Sequence, residues 1–176
     1  LFTQSKGLVK WDEIIISFKP DTPFQNTITL GSVSGNFNFK KLSNEIDNKL
    51  SFLTNKKYDP EIELNVSDNF SINELWETKT ENKSNWSKSF IDLHNDVTTK
   101  DIKQSISEGY DRIEHLKRYT TNSMGTDQGK ISSINSLAIV SKMLKKEISE
   151  VGTTTYRPPY APLSFAAIAG RSTYEF

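Results

Sequence analysis

Lys117-Arg118-Tyr119-Thr120-Thr121-Asn122-Ser123-Met124-Gly125-Thr126-Asp127-Gln128-Gly129-Lys130 is the stretch on which the reading of this chain turns. Its fourteen positions hold three cationic side chains, four small hydroxyl residues, a tyrosine, amides and two glycines. Apolar residues recur at helical spacing on either side. Ile113 and Leu116 lie before it, and Ile131, Ile134, Leu137, Ala138 and Leu144 lie after it. The stretch therefore reads as a polar turn between the C-terminus of one short helix and the N-terminus of a longer one, running from about Asp127 to Glu147. A helix start has unpaired N–H groups and a partial positive charge. With Lys117, Arg118 and Lys130 nearby, the turn can hold a phosphate-like anion. It can equally be a solvated basic turn with Thr120 and Thr121 as caps.

Working backwards, Asp111 with Glu114 and Thr98 with Asp101 have the spacing of capping boxes. Ile102 and Ile106 give the stripe of a further short helix, and Gly109 stands where that helix would stop, able to take a positive φ. Ser89–Leu93 is short and extended. Three helices thus fill residues 88–150. Gly152 and the pair Pro158-Pro159 close the last helix and open an extended connector over residues 151–176, running through Phe165.

The first part of the chain has a different character. Ile14–Ile16 and Thr27–Leu30 are β-like runs separated by Pro20 and Pro23. Gly31-Ser32-Val33-Ser34-Gly35-Asn36 follows, then an amphipathic helix over Lys40–Leu53 carried by Leu42, Ile46, Leu50 and Leu53. Strand, glycine turn and helix is a layout in which backbone N–H groups can face a phosphate, and it is also the layout of an ordinary tight turn. Residues 54–87 carry one alternating run, Ile62, Leu64 and Val66, with Trp76 and Trp86 as isolated anchors. They read as a linker arm.

Composition narrows the function. Basic and acidic residues balance at 22 each, so no net charge points to nucleic acid or to a membrane surface. No apolar run approaches the roughly 20 residues that span a bilayer. Without cysteine, disulfides and Cys-ligated zinc or iron–sulfur sites are excluded within the chain. His94 and His115 lack metal-site spacing, and no GxSxG is present. No catalytic or metal-ligating residue is assigned. A chain that starts at Leu1 reads as a piece of something longer.

The ordered motifs Asn95–Ile102, Glu108-Gly109-Tyr110, Glu114–Thr121, Thr126–Lys130 and Val151–Tyr160 closely resemble the α subunit of heterotetrameric sarcosine oxidase, densely over residues 88–171. Trp11-Asp12-Glu13 and Gly31–Phe37 resemble the end of that subunit's dinucleotide-binding domain. Residues 54–87 carry no part of the resemblance.

It implies an α+β chain with four parts. Residues 1–53 would close an FAD/NAD-type domain, 54–87 link, 88–150 form the small helical domain, and 151–176 lead toward a folate-binding domain. It implies a cytoplasmic complex with β, γ and δ subunits. That complex oxidises sarcosine to glycine at an FAD on the β subunit and passes electrons through FMN at the α/β interface to oxygen. Hydrogen peroxide and 5,10-methylenetetrahydrofolate result. FMN, attached covalently through the β subunit, would be contacted here by Lys117, Arg118, Met124, Gln128, Thr155 and Arg157. Met124 stands where some relatives have threonine. The cations would neutralise the phosphate or a reduced-flavin anion, and Gln128 and Thr155 would bond ring or ribityl oxygens. Ser32, Phe37 and Phe39 fall where the family lines NAD, although the usual small Ala/Gly run is missing.

The helical part also resembles the [2Fe–2S] domain of bacterioferritin-associated ferredoxins, with Leu93-His94-Asn95-Asp96 in the place of Cys-x-Cys. That implies a fold kept without its cluster. Beside the flavin-contacting reading stands another: a non-catalytic scaffold segment, or the α-type subunit of a related N-methyl amino-acid or amine dehydrogenase complex.

Overall fold

The computed structural model describes residues 2–56, 72–78, 88–156, 161 and 163–170. The chain divides into two compact units, residues 2–74 and 75–176, each of mixed helix and strand.

In the first unit, β1 (Val9–Asp12) and β2 (Ser17–Pro20) form an antiparallel hairpin that pairs Trp11 with Phe18. Their rings meet edge to face at 5.1 Å, the favoured geometry for facing aromatics. Ile14–Ile16, expected as a strand, is instead the turn of this hairpin, and Ile14 is exposed. The cause is Asp12. Its carboxylate accepts from the N–H groups of Ile14 (2.9 Å) and Ile15 (3.3 Å) and pairs with Lys19. Side-chain capture of the next backbone N–H groups is the mark of an Asx turn, and here it overrides β-branched propensity. Thr27–Leu30, also expected as a strand, is irregular and leads into a short 3-10 turn, Gly31–Ser34. Helix α1 (Phe39–Thr54) matches its expected span to within a residue. Asn38 caps it, its side chain accepting from Lys41 N at 2.8 Å. None of its residues is buried. The run Ile62, Leu64, Val66 and the anchor Trp86 lie outside the described residues; Trp76 is half-buried.

The second unit is built on α2 (Thr99–Ser107), α3 (Ile113–Thr120) and α4 (Ser132–Leu144), preceded by a small antiparallel pair, β3 (Phe90–Asp92) and β4 (Val97–Thr98). Asp101 starts α2 by accepting from both the N–H and the hydroxyl of Thr98 at 2.7 Å. Gly109, at φ 92°, ends it, and the N–H groups of Gly109 and Tyr110 return to Ile106 and Ser105 carbonyls. Ile91, Val97, Ile102, Ile113, Leu116 and the run Leu137–Val140 form the core. α4 is the central element, since four successive apolar residues are buried and its neighbours must surround it. Short helices α5 (Ile148–Val151) and α6 (Phe165–Ala169) follow. α6 breaks the extended connector expected there.

Two boundaries differ from expectation. Asp111 does not cap α3; Arg112 holds the cap position and no side chain caps it. The long helix begins at Ser132 rather than near Asp127, and Ile131, expected on its buried face, is 69% exposed. Among the described residues no helix is long and apolar enough to cross a membrane.

Leu116→Ala, at a fully buried site, is expected to lower unfolding free energy by about 2–5 kcal/mol. Ile131→Ala should change it by no more than about 0.5 kcal/mol. Urea unfolding of the two variants checks the assignment of core and surface.

Candidate functional site

The polar stretch folds as a loop locked from inside. Its anchor is Asp92, at the end of β3 and 2% exposed. The carboxylate accepts from Ser123 N (2.7 Å), His94 N (2.9 Å) and Asn95 N (3.2 Å). Asn95 adds a bond from Nδ2 to the carbonyl of Thr121 at 3.1 Å. One carboxylate thus ties the 93–96 loop to the 121–123 turn. Burial alone would push Asp92 up, but these hydrogen bonds outweigh it and hold its carboxyl below the usual aspartate range.

Behind Asp92 lies a cluster of hydroxyls. Ser123 Oγ meets Ser132 Oγ at 3.0 Å and receives Ser133 Oγ at 3.1 Å. Gly129, at φ 74°, closes over it, and a Cβ there would stand 2.4 Å from the Ser123 Cβ, so only glycine fits. Asn122 donates from Nδ2 to Ser136 Oγ at 2.8 Å.

The expected helix start at Asp127 is a self-closed turn. The Asp127 carboxylate accepts from Gly129 N (3.1 Å) and Ile131 N (3.4 Å). The chain's own anion therefore occupies N–H groups that the sequence offered to a ligand.

A second joint sits on α3. Glu114 accepts from Thr155 N at 3.1 Å and pairs with Arg118 one turn on. Burial raises the Glu114 pKa, but Arg118 and the Thr155 N–H overcome that and hold it below the ordinary glutamate value. The basic end of α3 and the 153–155 segment are thereby fixed side by side. Between them lies a recess of about 210 Å³, including space open to solvent, lined by Ile113, Lys117, Asn122, Ser123, Ser133, Leu137 and Thr154.

Lys117 and Arg118 occupy the last turns of α3, and Glu114 brings Thr155 to them. Arg118 is already paired, so it offers less than a full charge. Gln128 has φ 52° and turns its amide inward, Nε2 donating to the Gly125 carbonyl at 3.1 Å. Met124 is half exposed on the outside of the loop. Arg157 lies outside the described residues. Ser32, Phe37 and Phe39 are exposed in the other unit, around a helix start that Asn38 already caps. Sequence reasoning missed Asp92, Glu114 as a joint, and Asn122. Each is an ordinary polar residue by itself, and only the fold gives it partners. Among the described residues no cluster of His, Asp or Glu could hold a metal ion.

Residues 86–171 match the family model of the sarcosine oxidase A3 domain. The chain belongs to the sarcosine oxidase α-subunit family. It is 31% identical over 183 positions to sarcosine oxidase subunit alpha of Corynebacterium sp. (strain P-1), a match covering 99% of this chain and 19% of that protein. The subunit alpha of Rhizobium meliloti (strain 1021) is 49% identical over 86 residues, and that of Corynebacterium sp. (strain U-96) is 42% identical over 87. Each of these two matches covers 49% of this chain and 9% of the relative. The chain thus spans at most about a fifth of the length of these relatives.

The lowered pKa of Asp92 sets a pH dependence. Its stabilising effect is complete above the unfolded aspartate range near pH 4, and it is lost as pH falls through the lower native value. Asp92→Asn should therefore flatten the acid limb of a thermal-stability profile. At neutral pH it should cost about 1–3 kcal/mol, because an amide cannot accept all of the N–H groups now satisfied.

Proposed function

We propose that this chain is a segment of a sarcosine oxidase α subunit and forms one wall of the FMN site at the α/β interface. The complex would carry out oxidative demethylation of sarcosine to glycine, with hydrogen peroxide and 5,10-methylenetetrahydrofolate formed. The chain has no activity alone. FAD and tetrahydrofolate belong to other parts of the complex, whose further partners are the β, γ and δ subunits. Placing NAD at Ser32, Phe37 and Phe39 draws no support from a helix start already capped by Asn38.

The single observation that carries the reading is the Glu114 joint. It sets Thr155 beside Lys117 and Arg118, although they are some forty residues apart in the chain. Ammonium, guanidinium, hydroxyl and amide groups make a donor set suited to a phosphate or an anionic ring rich in acceptor oxygens. Lys117 and Arg118 would hold negative charge, and Thr155 and Gln128 would donate hydrogen bonds. FMN, when bound, supplies the electron relay. Glu114 moderates the positive charge of this edge. One hydrogen of Gln128 Nε2 is committed to the Gly125 carbonyl, which leaves the second to donate to a ligand.

The helical unit is read as the bacterioferritin-associated ferredoxin-like domain without its cluster. No cysteine is present, and the 93–96 loop is held by Asp92 instead.

In the assembled complex, Lys117→Ala should lower the FMN midpoint potential by roughly 30–60 mV, the equivalent of one charge-assisted hydrogen bond. Glu114→Gln should raise it, since Arg118 is then no longer neutralised. Potentials unchanged in both variants would leave the chain a scaffold segment, or the α-type part of a related N-methyl amine dehydrogenase. Redox titration followed by flavin absorbance reads the result.

A further inference from the structure

Asn122 is 2% exposed, and its two amide atoms have different fates. Ser136 spends its only proton on the Ser132 carbonyl at 2.8 Å, so its oxygen can only accept from Asn122. This fixes the amide: the NH₂ faces Ser136, and the oxygen is the remaining group. That oxygen is buried and receives no hydrogen bond from the described residues. A buried acceptor left without a donor is costly, and native structures rarely keep one.

Asn122 lines the recess between α3 and Thr154. Around it the other polar groups are mostly committed. Ser133 donates to Ser123, and Ser123 shares a proton with Ser132. Thr154 is 7% exposed and presents a second buried polar side chain. The Lys117 side chain lines the same recess, while Ile113 and Leu137 make it apolar elsewhere. The space within it that a water can occupy is about 10 Å³, room for roughly one molecule. A cation is disfavoured beside Lys117, and an anion beside the Asn122 oxygen. The ligand must be small, neutral, and both donor and acceptor.

We infer that this recess is a binding site for one structural water, held by Asn122 Oδ1 and Thr154 Oγ1. The water donates to Asn122 and bridges the 121–123 turn to the 153–155 segment. It is a second tie on the 153–155 segment, which Glu114 joins to α3 at the rim, and it lies in the recess that Lys117 also lines. The inference stands on this chain alone and does not depend on the flavin reading.

The test is a high-resolution crystal structure of the full chain and of Thr154→Val, which keeps the shape of threonine and removes its hydroxyl. The native recess should hold one ordered water within about 3.2 Å of Asn122 Oδ1. Thr154→Val should lose that water and melt about 2–4 °C lower. A dry native recess would overturn the inference, as would a protein group donating directly to Asn122 Oδ1. So would a Thr154→Val variant with unchanged water and melting temperature.

Discussion

The buried carboxylate of Asp92 is the constraint on which the second unit depends. A charge at 2% exposure is tolerable only when hydrogen bonds replace its hydration, and here they come from two loops at once. Ser123, thirty-one positions further along the chain, supplies the shortest of them. Those donors sit correctly only when β3, the 93–96 loop and the turn after α3 are in place together. Asp92 therefore couples local folding to tertiary closure. The serine cluster and Gly129 then pack beneath the turn it holds.

Much of the helical unit was legible because its signals are local. The Thr98–Asp101 box, the stop at Gly109 and the stripes of Ile102 and Leu116 involve partners within a few residues, which spacing can reveal. Two of the misreadings share one cause. Asp12 turned Ile14–Ile16 from a strand into a hairpin turn, and Asp127 delayed α4 by closing its own turn. In each case a short acidic side chain captured backbone N–H groups that propensity had assigned elsewhere. α4 itself was recognised by period, but its burial all round could not be read from a one-sided stripe.

The site was legible as composition and not as wiring. Lys117, Arg118 and Thr155 stood out by residue type and by family resemblance. What joins them is Glu114, which the spacing had cast as a cap for α3. Its carboxylate instead serves a neighbouring segment and a cation, so the edge is less positive than its sequence. Long-range partners of this kind leave no periodic trace.

Gly129 gives the loop a consequence of its own. With hydroxyls packed against its inner side and no room there for even a Cβ, the interior has a single solution. The outer side is under no such restriction: Leu93, Met124 and Ile131 all project into solvent. The loop resembles a key with a fixed shank and a cuttable edge. Sequence change can rewrite the face it shows to a neighbour without disturbing the frame that carries it.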